Sequence, residues 1–142
     1  MTKFINQKND IINKLRGSGL RPTKQRILIA KNLFENNKTF HFTIDSLNKK
    51  ISKKGNEKIS LATIYNTVHS FKKKGYLKEI SVNKNKSYFD TNTSNHHHFL
   101  DINTNELIDL KNEDVHNIKI KKRIPGKKIN SIEVLVKIEN SN

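Results

Sequence analysis

Apolar residues recur every three or four positions through the first half of the chain, which is the spacing of helices with one buried face. This pattern predicts four helices, over residues 4–15, 23–34, 43–53 and 60–74, separated by loops that include residues 17–19, 35–38 and 55–56. Thr23 and Ser60 are expected to cap the second and fourth helices, because a hydroxyl oxygen can accept from the free backbone N–H groups there. Gly75 is expected to end the fourth helix.

Two short runs with strand character follow the helices, over residues 77–82 and 86–90. This order, in which a set of helices is followed by a β-hairpin, is the layout of a winged helix-turn-helix. The polar stretch 91–95 is the predicted boundary between a winged-helix DNA-binding domain, residues 1–90, and a second domain, residues 91–142.

The second domain is predicted to contain a hairpin, a helix and a final strand. The hairpin joins 97–102 to 106–110, the helix covers 112–122, and apolar residues alternate along the strand at Ile132, Val134, Val136 and Ile138. Leu135 adds an apolar residue to the opposite face, which suits a sheet covered by a second subunit. The predicted fold class is α+β, with a winged helix-turn-helix followed by a small α/β dimerisation domain.

Composition agrees with two small cores. The chain has 142 residues, of which 33% are hydrophobic, and its mean hydropathy is −0.76. No run of about 18 apolar residues is present, and the first residues contain no apolar segment, so a cytoplasmic protein is expected. The chain contains no cysteine, which excludes disulfides and thiolate zinc clusters.

Positive charge is concentrated in the first part of the chain. Residues 1–83 contain 18 Lys and Arg against 5 Asp and Glu, whereas residues 84–142 contain 10 against 8. With a net charge of +15, this distribution indicates a surface that binds nucleic-acid phosphates. A general lysine bias would enrich both parts equally and does not explain the difference.

The fourth predicted helix is the best candidate for reading the major groove. Its polar face carries Thr63, Asn66 and Ser70, with Lys73 nearby. Asparagine can bond to both edge atoms of adenine, and lysine can bind phosphates. An ordinary surface helix is the alternative, and the basic context favours DNA.

Three consecutive histidines, His96, His97 and His98, are the strongest metal-binding or haem-binding signal. Side chains alternate along a strand, so His96 and His98 should point one way and His97 the other. His41 and His116 are ambiguous from pattern alone. No nucleophile–base constellation, phosphate loop or metalloprotease motif is present, and the protein is not expected to be an enzyme.

Four motifs resemble the ferric-uptake-regulator family of bacterial repressors: GLRPTKQR at 19–26, SLATIYNTV at 60–68, KSYFD at 86–90 and the histidine run. The resemblance extends over roughly residues 14–138. Within that family, the histidine-rich, cysteine-free pattern is similar to the iron response regulator branch, whose members respond to haem. In this branch haem relieves DNA binding.

The resemblance implies a homodimer on a near-palindromic DNA operator. Tyr65 matches the tyrosine that contacts bases, Arg21 matches a position near the minor groove, and Asn66 stands where many relatives have arginine. The predicted DNA-binding residues are Arg21, Thr23, Gln25, Arg26, Ser60, Ala62, Thr63, Tyr65, Asn66 and Lys73.

The resemblance also implies a metal site between the domains. His41 matches the family's hinge-side ligand, while Asp90 and Asp109 replace glutamates. One residue is missing between these two aspartates relative to the common family spacing. If the deletion precedes the histidine run, His96 and His98 complete the site, which is the preferred register.

In the other register, His97 joins His41 and the aspartates, and Phe99 replaces a ligand. His96 and His98 then belong to the family's second site. His116 lies near a ligand position of that second site, whereas Ser131 stands near its usual histidine. The family's structural zinc centre is absent.

The sequence therefore predicts a homodimeric transcriptional repressor that responds to iron status through haem or a divalent metal ion. Binding between the domains would fix or release their relative angle. One alternative is a direct sensor of Fe, Mn or Zn in the same family. A second is an architectural basic protein that binds nucleic acid without sensing.

Overall fold

The computed structural model describes residues 2–36, 38–55 and 58–142, with side chains described from residue 7 onward. The chain divides into two compact units, Met1–Thr93 and Ser94–Asn142. Part of the predicted turn at residues 55–56, and the apolar contacts expected of Phe4 and Ile5, lie outside the described part. No described helix has the length and apolar character needed to cross a membrane.

Four helices form most of the first unit. They are α1 (Thr2–Gly17), α2 (Lys24–Phe34), α3 (Ile44–Lys53) and α4 (Leu61–Lys74). Thr23 and Ser60 cap α2 and α4 through side-chain oxygens that accept from the backbone three residues later, and Thr43 does the same for α3. Gly75 ends α4 with φ 93°, a left-handed conformation that favours glycine. The four predicted helices and both predicted caps are confirmed.

A three-stranded sheet completes the first unit. Its strands are β1 (His41–Phe42), β2 (Lys78–Asn83) and β3 (Lys86–Asp90), in the order β1-β3-β2 with antiparallel pairing. The predicted hairpin is therefore confirmed. Strand β1 was not predicted, because two residues are too few to show an alternating pattern.

The core of the first unit lies between the helices and this sheet. The apolar stripes of α2, α3 and α4 meet there, and Phe71 packs edge-on against Phe34 with ring centroids 5.1 Å apart. The most deeply buried apolar residues are Ile11, Leu15, Ile29, Ala30, Leu33, Leu47, Ile51, Ile64, Val68, Phe71, Leu77 and Phe89. This packing fixes which face of α4 remains exposed.

The second unit contains a separate three-stranded sheet. Strand β4 (His97–Asp101) pairs antiparallel with β5 (Leu107–Leu110) and parallel with β6 (Leu135–Ile138). The predicted hairpin is confirmed. The final strand begins at Leu135 rather than at Ile132. In this unit the buried apolar side chains are Leu100, Leu107 and Leu110, which is a small core.

The predicted helix over residues 112–122 is wrong. A single 3₁₀ turn covers Asn112–Asp114, and no regular element follows until β6. The preceding Lys111 provides no side-chain cap, and Ile118 and Ile120 are both exposed, so no apolar stripe is buried along this segment. A short helix without a buried face is not stable by propensity alone.

Candidate metal centre and nucleic-acid surface

His41 and Asp90, here called the first ligand pair, lie opposite one another where β1 pairs with β3. His41 Nε2 is 3.1 Å from Asp90 Oδ2, and only 1% of the Asp90 side chain is exposed. The Oδ1 atom of Asp90 accepts a 2.8 Å hydrogen bond from the backbone N–H of Asn92. A buried carboxylate needs compensating donors or charges, so this environment favours a cation beside Asp90.

The neighbours of His41 along the chain hold β1 in place. The Phe42 ring stacks on Phe89 with centroids 5.6 Å apart, and the backbone N–H of Phe40 donates to Thr91 Oγ1 at 3.0 Å. These contacts attach β1 to β3 on both sides of His41. The imidazole is thereby kept beside the carboxylate.

His96, His98 and Asp109, here called the second ligand group, lie on one face of the β4–β5 pair. His98 is directly opposite Asp109 in the strand register. His96 Nε2 and His98 Nε2 are 3.2 Å and 3.5 Å from Asp109 Oδ1, and the two rings have centroids 4.5 Å apart. One ligand atom from each residue lies within 4.8 Å of the others, a spacing that a single metal ion can bridge.

The hydrogen bond at the other ring nitrogen orients His96. Its Nδ1 lies 2.8 Å from the carbonyl oxygen of Ser94. Because a carbonyl only accepts, Nδ1 carries the proton of the neutral ring, and Nε2 directs a lone pair toward Asp109. Two acceptors this close require a proton or a metal ion between them. A carbonyl bonded to the second nitrogen is also the usual outer support of a histidine metal ligand.

His97 points away from the second ligand group, as strand alternation predicts. Its Nδ1 accepts a 3.0 Å hydrogen bond from the backbone N–H of Val134. His97 and His116 line a cleft of about 220 Å³. Among the described residues, neither histidine belongs to a group of three or more close metal-ligand side chains. Within this unit, the carboxylate of Asp109 lies beside His96 and His98.

The exposed face of α4 carries four of the ten residues predicted to bind DNA. Ala62, Tyr65, Asn66 and Lys73 are all exposed, with 51% of Tyr65 accessible. The Tyr65 ring packs against His69 with centroids 4.1 Å apart. This face therefore combines hydrogen-bonding groups, an aromatic ring and a cation, which are the groups that read and hold DNA.

His69, which the sequence predicts to be a surface or DNA-facing residue and not a metal ligand, also contributes to this face. It also packs edge-on against Phe89, with ring centroids 5.8 Å apart, and so connects the exposed Tyr65 ring to the core. The sequence signal for this ring contact is the spacing of four residues between Tyr65 and His69, because residues four apart are neighbours on a helix.

The remaining predicted DNA-binding residues lie at helix starts. Thr23 and Ser60 act as caps, and the Ser60 and Thr63 hydroxyls are 2.9 Å apart. Arg26 Nη1 donates to the carbonyl oxygen of Arg21 at 3.1 Å, which braces the turn before α2. Arg21 itself is exposed, while Gln25 and Arg26 are half-buried. These placements are compatible with phosphate contacts, which commonly come from helix N-termini.

An ion pair fastens α4 to the sheet. Lys72 Nζ is 2.6 Å from Glu79 Oε2 on β2. The hydrogen bond from Lys72 is the main cause that lowers the pKa of Glu79 below its usual 4.5. Partial burial opposes this shift, whereas a hydrogen bond from Ser87 and the charges of Lys72 and His69 lower the pKa further. Lys72 is thus directed to the sheet, and Lys73 and Lys74 remain exposed for phosphates.

Glu79→Gln should destabilise the protein by about 0.5–1 kcal/mol at pH 7, the usual contribution of a partly exposed pair. The Glu79 pKa is lowered on folding, so its contribution is present above pH 4.5 and disappears as the pH falls through the folded-state pKa. Urea unfolding at pH 7 and pH 3 measures this. If the free energy of unfolding differs between variant and wild type by the same amount at both pH values, the assignment of this ion pair to Glu79 is contradicted.

A basic helical unit and histidine–carboxylate ligand groups together define the class of metal-responsive regulators. The model of the ferric uptake regulator family matches residues 17–137, and the chain belongs to this family. Family membership confirms the prediction of a regulator rather than an enzyme. The narrower placement in the haem-responsive branch stays a prediction.

Two relatives are peroxide-responsive repressors named PerR. The chain is 36% identical over 99 residues to PerR of Staphylococcus epidermidis, which covers 70% of this chain and 64% of that protein. It is 33% identical over 108 residues to PerR of Staphylococcus aureus, covering 76% and 71% respectively. The match therefore spans slightly less than two thirds of the first relative.

Solved structures with the same fold include two ferric uptake regulators. That of Vibrio cholerae has a TM-score of 0.68 and 20% identity, covering 91% of this chain and 98% of that chain. That of Pseudomonas aeruginosa with manganese has a TM-score of 0.66 and 19% identity, covering 93% and 98%. At this level of identity the likeness concerns the fold alone, and it confirms the α+β class.

Proposed function

We propose that the protein is a homodimeric, DNA-binding transcriptional repressor whose operator affinity depends on a divalent metal ion. The observation that carries this proposal is the second ligand group, in which two buried imidazoles and one carboxylate converge within the basic chain of a family regulator. Fe²⁺, Mn²⁺ and Zn²⁺ all accept nitrogen and carboxylate ligands.

The numbers of ligands support a single ion shared by the first ligand pair and the second ligand group, here called together the two ligand sets. The first ligand pair offers one imidazole and one carboxylate, which is too few for a stable site, and the second ligand group offers three side chains. Together they provide three nitrogen and two carboxylate ligands, which suits five- or six-coordinate Fe²⁺ or Mn²⁺. We propose that His41, Asp90, His96, His98 and Asp109 bind one ion.

The connection between the ligand sets suggests how metal binding is transmitted. Asp90 is the last residue of β3, and His96 follows after only five residues. An ion bound on both sides of this short connection restricts the orientations of the DNA-binding unit. Such a restriction lowers the entropy lost on operator binding, so the metal ion and DNA favour each other.

The first unit is proposed to bind DNA as a winged helix-turn-helix domain, with α4 in the major groove. The exposed Tyr65 and Asn66 are suited to base edges, and Lys73 and Lys74 are suited to phosphates. The β2–β3 hairpin has the position in sequence of the wing. An architectural protein without sensing is the less favoured candidate, since it would have no use for the ligand groups.

A homodimer is proposed because the second unit leaves much apolar surface uncovered. Its isoleucines at positions 118, 120, 124 and 129 are between 39% and 56% exposed. The buried core of this unit contains only three leucines, and a core of this size is usually completed by a partner chain. A two-fold dimer would also present two copies of α4 to a near-palindromic operator.

The signal is tested by titrating the purified protein separately with Mn²⁺, anaerobic Fe²⁺, Zn²⁺ and haem. We expect about one divalent ion per chain to bind tightly, and operator affinity at a fixed salt concentration to rise at least about tenfold with the ion, a coupling of typical size. The operator can be selected from random-sequence DNA. His116→Ala, outside both ligand sets, is the control.

Haem is the second candidate, favoured by the histidine run and the absence of cysteine. If one equivalent of haem shifts the haem absorption band and releases the protein from DNA, and if His96→Ala abolishes that shift, haem replaces the divalent ion as the proposed signal. If none of these ligands changes the operator affinity, a sensing role is contradicted altogether.

A further inference from the structure

His97, the first residue of β4, lies between the proposed metal ligands His96 and His98 in the sequence and is as buried as they are, with 6% of its surface exposed against 8% and 5%. Its side chain bonds to the protein backbone. Nδ1 accepts from the N–H of Val134 at 3.0 Å, while the carbonyl oxygen of Val134 accepts from the N–H of His98 at 3.1 Å. Both backbone groups of Val134, the residue before β6, are thus bound to β4.

These hydrogen bonds determine which ring nitrogen holds the proton. A backbone N–H only donates, so Nδ1 of His97 carries the lone pair and Nε2 carries the proton of the neutral ring. His96 is held in the opposite tautomer, because its Nδ1 donates to the carbonyl oxygen of Ser94. Of these two histidines, it is His96 that has an Nε2 lone pair ready to bind a metal ion.

We propose that His97 is a positioning residue and not a metal ligand. Its bond to Val134 attaches the start of β6 to β4 and holds β4 in the strand conformation that turns His96 and His98 toward Asp109. This inference rests on the proposed function, because it assigns His97 a role in the affinity of that metal site. Supporting residues of this kind commonly change metal affinity by about 10- to 100-fold.

The competing assignment is a second metal site that includes His97 and His116. Both line the cleft of about 220 Å³, together with Asn112, Val115 and Ile132. His116 is exposed there. Binding through Nε2 of His97 would require moving its proton to Nδ1, which would break the hydrogen bond from Val134. The structure gives no compensating acceptor for that proton among the contacts of His97 that it describes.

Two substitutions separate the assignments, because asparagine and glutamine place their amide groups at different ring positions. His97→Asn puts an oxygen near the position of Nδ1, where it can still accept from Val134. His97→Gln puts its amide near the position of Nε2. For a positioning residue, we expect His97→Asn to bind Co²⁺ within about threefold of wild type and His97→Gln to bind about 10- to 100-fold more weakly.

The Co²⁺ absorption spectrum and the nitrogen-15 spectrum of the imidazoles are the additional measurements. In the metal-free protein His97 should show the proton on Nε2, and this signal should persist after Co²⁺ or Zn²⁺ is added. His97→Asn should leave the ligand-field bands unchanged. Any of three results would overturn the inference: a proton on Nδ1 of His97, the loss of one bound Co²⁺ ion per chain in a His97 variant, or tighter binding of Co²⁺ by His97→Gln than by His97→Asn.

His96→Ala separates failure of this inference from failure of the proposed function. If His96→Ala binds Co²⁺ as wild type does, the proposed metal site is wrong and the role of His97 is wrong with it. If His96→Ala loses binding and His97→Asn loses it equally, while thermal melting shows the metal-free His97→Asn protein to be folded, only the inference about His97 is wrong.

Discussion

Asp109→Asn should weaken Mn²⁺ binding by at least about 100-fold, a larger loss than supporting residues usually cause. The substitution removes the carboxylate charge on which two imidazoles converge, at 3.2 Å and 3.5 Å. Since 51% of the Asp109 side chain is exposed, the metal-free variant should unfold close to the wild-type temperature. Calorimetric titration and thermal melting measure the two properties.

Glu106→Gln is the matched control, because Glu106 is an exposed acidic residue of the same hairpin outside the ligand group. It should keep wild-type Mn²⁺ affinity. If Asp109→Asn and Glu106→Gln weaken binding equally, the effect comes from general charge, and the second ligand group does not bind the ion.

Tyr65→Ala should weaken operator binding by about 10- to 100-fold, the size expected for a lost base contact of about 1–3 kcal/mol. The side chain is 51% exposed on the outer face of α4. Tyr65→Phe keeps the ring that packs on His69 and removes only the hydroxyl group, so it distinguishes base recognition from support of the helix. Fluorescence anisotropy with operator and scrambled duplexes provides the measurement.

Lys73→Gln serves as the comparison for Tyr65. It should weaken binding to operator and scrambled DNA alike and reduce the slope of log affinity against log salt by about one. Loss of affinity for both duplexes on Tyr65→Ala, with no change in preference, would show that Tyr65 does not read the sequence.

The helices of the first unit could be predicted because local signals agree with long-range packing. Thr23 and Ser60 cap their helices, and Gly75 ends α4. Strand β1 could not be predicted, since it exists only through its pairing with β3, 47 to 49 residues later along the chain. His41 owes its position beside Asp90 to that pairing.

The helix predicted at residues 112–122 shows where pattern reading fails. Asn112 and the lysines that follow are compatible with a helix, but Ile118 and Ile120 remain exposed and stabilise no buried face. At the proposed metal site, strand alternation correctly separates the side chain of His97 from those of its neighbours. The tautomers of His96 and His97 could not be predicted, because Ser94 and Val134 become their hydrogen-bond partners only in the folded chain.

The central claim is that one ion, bound by both ligand sets, controls operator affinity. A double-mutant cycle of His41→Ala and His98→Ala tests it most directly, with operator affinity measured with and without Mn²⁺. A shared ion predicts that either substitution abolishes the metal-dependent gain, and that the double variant behaves like each single one. If each single variant instead keeps part of the gain and the losses add in the double variant, the two ligand sets act independently and the claim is wrong.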